Sequence, residues 1–512
     1  MPSTKKKLLA ISNLKKYFPV GKASTFKKQL YVRANEDITI DIYEGETLGL
    51  VGESGCGKST FGRVLLQLYP QTAGSTMYYG RTLDEVAPKY VGQTLKNASK
   101  MVAQYFEARK KADEAVAKCA EAGENVTYEQ NNEKDQLVFA AENALNNTAK
   151  ILGGFMVCPD ISEPAKALLE LHAAQVEVFK LRKQVELRRA SGKASDAAKI
   201  TELETKIADL AKKVAVCQAA VDELRTKYSS LPDFDKYEAM RDDGVDLSRL
   251  TYDEIRHLRK DLQIIFQDPY SSLNPRLTIG QAIEEGLVTH NMYQKGTDET
   301  KEYILQVMRN CGLQDYMLHR YPHQFSGGQR QRICIARALA VNPKFVVCDE
   351  CVSALDVSIQ SQIINLLQEL KEKQNLTYLF ISHDLSVVKY ISDRIGVMYL
   401  GNIVELADKN TIFDDPRHPY TVALLSSIPT TDPDSADKDR IILEGNIPSP
   451  IKPPTGCKFH TRCYMATEKC SRIAPMLTEV SPNHFVACHY CDRKLDENGN
   501  YLFDIKELAK KN

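Results

Sequence analysis

Gly52-Glu-Ser-Gly-Cys-Gly-Lys-Ser-Thr60 follows the strand-like run Thr47-Leu-Gly-Leu-Val51 and precedes the helical pattern Phe61 to Leu68. Strand, glycine-rich loop, then helix is the context in which the pattern G-x-x-x-x-G-K-[ST] binds phosphate. Gly52, Gly55 and Gly57 let the backbone curl until successive N–H groups point inward at anionic oxygens, and the positive end of the next helix adds to their field. Lys58 brings a mobile positive charge for the β- and γ-phosphates, the Ser59 hydroxyl suits Mg²⁺, and Thr60 can bond a further phosphate oxygen. The whole loop, with Glu53, Ser54 and Cys56 between the glycines, is the candidate nucleotide cradle. A glycine-rich turn without a ligand would need neither lysine nor serine at these places. The stretch predicts an α/β protein with a P-loop core.

Before the loop, Leu8 to Ile11 and the alternating Ile38, Ile40 and Ile42 read as small antiparallel sheets. Far beyond it, Phe345-Val-Val-Cys348 runs into Asp349-Glu350, the pattern of a buried parallel strand that delivers two carboxylates at its C-terminal edge. Asp349 suits the outer shell of Mg²⁺, and Glu350 suits polarising an attacking water. Such a string carries little weight without its neighbours.

At 512 residues the chain should hold two to four units. Hydrophobic residues make up 43% and charged residues 26%, a globular composition, and 67 basic side chains balance 67 acidic ones. That balance provides no global field for nucleic acid or anionic lipid. No apolar stretch reaches bilayer length, and Met1-Pro-Ser-Thr-Lys-Lys-Lys7 leads into no apolar core segment, so the chain should stay in the cytoplasm. Of thirteen cysteines, five crowd between Cys457 and Cys491, and the scatter of the rest argues against a secreted disulfide framework.

From about 82 to 240 the sequence turns helical. Ile200, Leu203, Ile207, Leu210, Val214, Cys217, Val221 and Leu224 recur at alternating steps of three and four, and Ala167, Leu171, Ala174, Val178, Leu181 and Val185 repeat the alternation. Between them, Arg189 to Ser195 contains Gly192 and suits a reversal. An antiparallel helical hairpin and two amphipathic helices lying on the main body explain the pattern about equally well. Strands and helices alternate again from about 245 to 425, followed by a proline-rich connection (Pro448, Pro450, Pro453, Pro454) and the cysteine-bearing tail.

With these residues in place, 7–80 and about 245–425 resemble the ATP-binding cassette (ABC) family, because five further elements occur in that family's order. Leu262-Gln-Ile-Ile-Phe-Gln-Asp-Pro269 looks like the Q-loop, where the resemblance has Gln267 reach Mg²⁺ and the water. Phe325-Ser-Gly-Gly-Gln329 looks like the signature motif, with Ser326, Gly327, Gly328, Gln329 and the next helix N-terminus facing the γ-phosphate of ATP held by an opposite subunit. Ser353-Ala-Leu-Asp356 resembles the D-loop, and Ile381-Ser-His383 resembles the switch histidine, which implies that His383 bonds the γ-phosphate. Phe18, with Tyr17 close behind, occupies the place where the family stacks an aromatic ring on adenine.

The resemblance narrows at Tyr270-Ser-Ser-Leu-Asn-Pro-Arg276, Val352 to Ser358, His418-Pro-Tyr-Thr421 and the cysteine tail, which look like the ATPase subunits of oligopeptide and dipeptide importers. Leu14-Lys-Lys-Tyr-Phe-Pro19 and Gly-Cys-Gly57 are closer to the second ATPase of the pair. It implies ATP and Mg²⁺ as cofactors, a second cassette subunit, two membrane permease subunits, an extracytoplasmic peptide-binding protein, and a peripheral place on the cytoplasmic face of the membrane. The expected architecture is the first part of the cassette in 1–81, a coiled-coil-like insertion in 82–240, the rest of the cassette in 241–425 with antiparallel β and helical signature subdomains, and a small cysteine-rich extension in 426–512. The sequence departs from the family pattern in two places. Cys351 replaces a usual proline, which should loosen the turn after Glu350, and Lys58 and Gln267 lie 209 positions apart because of the insertion.

Cys457, Cys463, Cys470 and Cys488 could ligate iron–sulfur or zinc or stay as thiols; spacing favours none of these, and Cys491 competes with Cys488 as fourth ligand. The importer resemblance implies a [4Fe–4S] cluster. Cargo stays open, with nickel as one alternative to peptide. Chromosome-maintenance ATPases place their coils after the Q-loop rather than before it, and translation-associated cassettes carry two copies per chain.

Overall fold

The computed structural model describes residues 5–21, 29–122, 127–191, 194–428 and 441–491. Among the described residues twelve strands occur in chain order: β1 Lys7–Val20, β2 Leu30–Tyr43, β3 Thr47–Val51, β4 Ala73–Thr82, β5 Gly244–Asp246, β6 Leu262–Ile265, β7 Phe345–Asp349, β8 Thr377–Ile381, β9 Arg394–Tyr399, β10 Asn402–Asp408, β11 Thr478–Ser481 and β12 His484–Val486. They form an antiparallel sheet in the order β2-β1-β4-β5 and a larger one in the order β11-β12-β10-β9-β3-β8-β7-β6. In the larger sheet β9, β3, β8, β7 and β6 pair in parallel, with Leu50 opposite Ile381 and Val347 opposite Leu379.

Every residue of β3, β7 and β8 is buried, as expected of parallel strands covered on both faces. Successive side chains then serve different cores. Val346, Cys348, Tyr378 and Phe380 pack with the helices Ile279–Thr289, Asp298–Asn310, Gly327–Leu339 and Val357–Gln374. Phe345, Val347, Leu379 and Ile381 pack with the helix Lys58–Leu65 and with Leu9, Ile11, Ile38 and Ile40 of the antiparallel sheet. A one-residue slip would exchange the two sets, so the register is strongly specified.

The segment after β4 builds four long helices, Ala98–Ala122, Tyr128–Leu152, Ser162–Ser191 and Ala197–Tyr228, which pack as consecutive pairs. Their core is a separate cluster around Tyr105, Leu152, Phe155, Val221, Phe234 and Tyr237. Leu171, Ala174, Val178, Val185 and Val221 are buried along the second pair, while most residues between these positions are exposed. Gly192, placed in the reversal between the two heptad runs, lies outside the described residues. Helix Tyr128–Leu152 also leans on the antiparallel sheet: Asn13 Nδ2 donates to Glu142 at 2.7 Å, and Lys15 Nζ sits 3.8 Å from the centre of the Phe139 ring. This helix lies outside the two heptad runs, so its contact with the sheet does not decide between the two arrangements weighed for them.

The C-terminal segment is more tightly joined to the core than a small separate tail would be. β12 pairs with β10, Val486 opposite Glu405, and thereby extends the main sheet. Buried His484 places Nε2 2.7 Å from the buried Glu405 carboxylate, and Glu405 also accepts the backbone N–H groups of Arg417 and His418. Phe459, 1% exposed, packs on Tyr399 and Tyr420.

Candidate nucleotide site

Four loops that leave the C-terminal ends of parallel strands converge, as ligand-binding loops do in open α/β sheets. Residues 52–60 follow β3, Gln267 follows β6, Asp349 and Glu350 close β7, and His383 follows β8. In the first loop Lys58 is buried, and its Nζ donates to Gly52 O at 2.7 Å and Glu53 O at 3.1 Å, so the ammonium lies inside the curl. Gly57 has φ of 105°, and a Cβ there would lie 2.1 Å from Ala34 O. No other residue fits so close to β2, where Asn35 Nδ2 donates to Gly57 O at 3.1 Å. Ser54 and Gly55 form the exposed tip, and Ser59 and Thr60 begin the helix half-buried.

Backbone donors in the loop are not all free for phosphate. Cys56 N–H goes to Glu53 O at 3.3 Å, and Glu53 N–H goes to the Tyr420 hydroxyl at 2.9 Å. The Glu53 carboxylate accepts a two-pronged bond from Arg462, Nη1 to Oε2 at 2.8 Å and Nη2 to Oε1 at 3.1 Å. Cys56 is buried with its thiol 3.7 Å from Lys58 Nζ. Glu53 and Cys56 thus make bonds within the fold that shape the loop. Arg462 and Tyr420 brace this loop through Glu53, and the separation of 409 positions between Arg462 and Glu53 leaves no local pattern to find.

Glu350 is the meeting point of the other loops. Its backbone is left-handed (φ 47°), and its N–H donates to Ile381 O at 3.0 Å, which ties β7 to the end of β8. Oε2 accepts Gln267 Nε2 at 3.0 Å and lies 3.6 Å from His383 Nδ1. Cys351 stands in the turn that follows Glu350. Its side chain is buried, and Ser353 closes the turn by donating from N at 3.1 Å and from Oγ at 2.9 Å to Glu350 O. Asp349 is 2% exposed; Oδ2 accepts Arg63 Nη2 at 3.2 Å, and Oδ1 is buried with no hydrogen-bond partner. An orphaned carboxylate oxygen is costly in an interior and is what a hydrated cation would satisfy, so Asp349 with Ser59 and Gln267 fits a Mg²⁺ site.

Ser326 caps the helix Gly327–Leu339. Its Oγ accepts Gln329 N–H at 3.4 Å, and Gln329 Oε1 accepts Ser326 N–H at 3.2 Å. A Cβ on Gly328 would lie 2.6 Å from Ile359, so the chain must be bare there. Among the described residues no hydrogen bond joins Ser326, Gly327, Gly328 or Gln329 to residues 52–60. The same helix is fastened to the segment after Gln267: the Arg330 guanidinium lies 3.6 Å from the Tyr270 ring centre, and Arg337 donates to Ser272 O.

Strand alternation separates the two adenine candidates. Phe18 shares a face of β1 with Lys16, whose Nζ stands 4.6 Å from the Phe18 ring centre, and Phe18 meets Tyr69 edge-on at 5.4 Å. Tyr17 points the other way, its hydroxyl donating to Glu36 at 2.8 Å. Burial works against the Glu36 charge, but the Lys458 ammonium, the Tyr17 hydroxyl and Arg33 prevail and hold its carboxyl down at about 2.

Cys457, Cys463, Cys470 and Cys488 line one small cavity with Phe459, His460 and His489. Burial, reinforced by neighbouring thiols, raises the Cys457, Cys463 and Cys488 thiols, Cys463 to about 12. Among the described residues, however, no group of three or more His, Cys, Asp or Glu side chains is arranged to hold a metal ion, so the cluster expectation gains no support as a ligand set.

The ABC transporter family model matches residues 35–217 and 235–353, and the model of the oligopeptide/dipeptide transporter C-terminal region matches 404–470. The oligopeptide transport ATP-binding protein AppF of Bacillus subtilis is 54% identical over 248 residues, 48% of this chain and 75% of the relative. A putative oligopeptide transport ATP-binding protein of the same species, YkfD, is 35% identical over 484 residues, 94% of this chain and 95% of the relative. The corresponding protein OppF of Haemophilus influenzae is 49% identical over 246 residues, 48% of this chain and 74% of the relative.

Proposed function

Because the chain belongs to the ABC transporter ATPases and carries the C-terminal region of their oligopeptide and dipeptide members, we propose that the converging loops hydrolyse ATP to power an oligopeptide importer. Lys58 and the free N–H groups of residues 54–60 hold the phosphates. Ser59, Asp349 and Gln267 would hold Mg²⁺, which neutralises charge on the β- and γ-phosphates. Glu350 orients the attacking water and accepts its proton as oxygen bonds to the γ-phosphorus and the bridging oxygen leaves with ADP. Gln267 and His383 fix the Glu350 carboxylate from two sides, and His383 also reaches the γ-phosphate. Phe18 stacks on adenine.

The carrying observation is the meeting of Gln267 and His383 on one Glu350 oxygen, at 3.0 and 3.6 Å. Residues brought from three strand ends to one carboxylate suit a reaction that needs one precisely held water.

Membership in this family implies permease partners and paired cassettes. The capped end at Ser326 to Gln329 serves ATP on the opposite subunit, which we take to be a different ATPase. Closure on ATP would then pull the segment at Tyr270 through Arg330 and Arg337 and move two permease subunits, supplied by an extracytoplasmic peptide-binding protein. Among the described residues no helix is long and apolar enough to cross a membrane, and we place the subunit peripherally on the cytoplasmic face. A [4Fe–4S] cluster on the four cysteines belongs to this proposal on their shared cavity alone, and no step of hydrolysis depends on it. Iron and sulfide in anaerobically purified protein would support the cluster, and colourless protein with zinc or no metal would remove it.

The transport reading is tested by purification from membranes. Integral subunits should copurify, and ATP turnover should rise when peptide-loaded binding protein is added. A chain that copurifies with no membrane subunit contradicts it.

A further inference from the structure

Glu53 is held at four atoms at once. Its N–H goes to Tyr420, its C=O receives the Lys58 ammonium, and its carboxylate receives the Arg462 fork. Arg462 comes from the stretch Cys457–Cys463, with a side chain only 6% exposed. The fork is the geometry that gives an arginine–carboxylate pair its directional strength, and it operates here with little solvent around it. Glu53 draws the already basic Arg462 guanidinium further from deprotonation.

The same stretch has a second strap. Lys458 Nζ donates to Glu36 and to Leu400 O, both at 2.8 Å, and Glu36 accepts the Tyr17 hydroxyl on the strand that carries Phe18. Between the straps Phe459 is buried against Tyr420, the residue that bonds Glu53 N–H. At the other end, Cys457 N–H donates to Cys470 O at 2.7 Å, so the stretch is also fastened to the cysteine-lined cavity.

We propose that Arg462 is a positioning residue for nucleotide binding. Through Glu53 it fixes the carbonyls on which Lys58 rests and the direction of the following N–H groups, so the C-terminal segment preorganises the phosphate loop. Arg462 touches neither ATP nor the water, and its loss weakens binding while leaving the step at Glu350 unchanged. The inference rests on residues 52–60 being the phosphate loop.

The test measures equilibrium binding of a fluorescent ATP analogue and steady-state hydrolysis in the assembled complex. Arg462→Ala should weaken binding and raise KM by roughly tenfold, with kcat held within about twofold. Arg462→Lys should fall between, because a point charge cannot fork. Glu53→Gln, which keeps the side-chain volume and leaves the C-terminal segment intact, should weaken binding like Arg462→Ala, and the double variant should be no weaker than either single one. If Arg462→Ala fails to fold, Arg462→Lys and Glu53→Gln carry the test. Unchanged affinity in these variants, additive losses in the double variant, or a fall in kcat at constant affinity overturns the proposal. Lys58→Ala separates the two readings: normal nucleotide binding by that variant removes the phosphate-loop assignment itself, whatever Arg462 does.

Discussion

The parallel sheet and the helical arm bury their apolar residues by different rules. In β7 and β8 every side chain is buried and neighbours serve opposite cores, so no position can turn outward. In helix Ala197–Tyr228 only a seam faces the partner helix, and the flanking positions meet solvent, including Val216 at 71% exposure. A strand end in such a sheet is an immovable platform, which is why Gln267 can bond Glu350 at 3.0 Å while His383 stands 3.6 Å from the same oxygen. A helix pair closed on its own seam can change without disturbing a distant site.

The largest effect should come from the platform's own loop. Lys58→Ala removes the cation held inside the curl by Gly52 O and Glu53 O and should cost at least about a hundredfold in nucleotide affinity and abolish measurable hydrolysis. Isothermal titration with ATP checks this, and unchanged binding breaks the contrast at its root.

Paired core truncations sharpen it. Phe380→Ala in β8 should lower stability by about 3–5 kcal/mol, whereas Leu210→Ala on the half-buried seam should cost about 1 kcal/mol and leave ATP affinity unchanged. Chemical denaturation of both variants, with and without ATP, decides between them. Equal losses would mean that the arm and the sheet form one cooperative unit.

The strap at Glu36 offers a pH test. Its carboxyl is held at about 2, below the ordinary value of about 4.3, so the unfolded chain binds the proton first as pH falls. The stabilisation is therefore complete above about pH 4.3 and is lost as pH falls toward 2. Burial lowers the pKa of Lys458 despite this pairing, so the pair contributes little net stability, yet each charge depends on the other. Lys458→Met alone should destabilise by about 3 kcal/mol, while Lys458→Met with Glu36→Gln should recover most of that loss and flatten the acid limb of the stability curve. Additive losses would show that the two charges are not coupled.

The smallest effect should come from the largest change. Replacing residues 82–240 by a short flexible linker should leave nucleotide affinity within about twofold, because the arm's core closes around Phe155 and Phe234, and its contacts with the cassette, among them Glu142 with Asn13, Tyr90 and Thr94 with the stretch Asp246 to Arg249, and Lys183 with His257, lie away from residues 52–60. Insoluble protein, or loss of ATP binding, would show that the helix resting on β1 is needed to hold the antiparallel sheet.

Legibility in the sequence followed distance along the chain. Residues 52–60 and Asp349-Glu350 could be read because each group of side chains is contiguous and its strand precedes it directly. The seam from Ala167 to Leu224 could be read because its period repeats over many turns. The seam of helix Ala98–Ala122 rests on Ala98, Tyr105 and Ala112 at steps of seven, two of them alanines, which is too faint a pattern to mark a second pair by itself. β12 was invisible at three residues, and its place beside β10 depends on a buried His484–Glu405 pair 79 positions apart. Arg462 had no local signature, since its carboxylate partner among the described residues, Glu53, lies 409 positions away.

One measurement bears most directly on the account: ATP binding and hydrolysis by Glu350→Gln in the purified complex. The substitution preserves size and the contact with Gln267 while removing the charge that accepts the water's proton. The account predicts ATP affinity within about threefold of the native protein, turnover reduced by at least about a hundredfold, and a closed ATP-bound dimer that persists. Hydrolysis at a near-native rate by the Glu350→Gln complex would contradict the assignment of Glu350 and the reading of the site built around it.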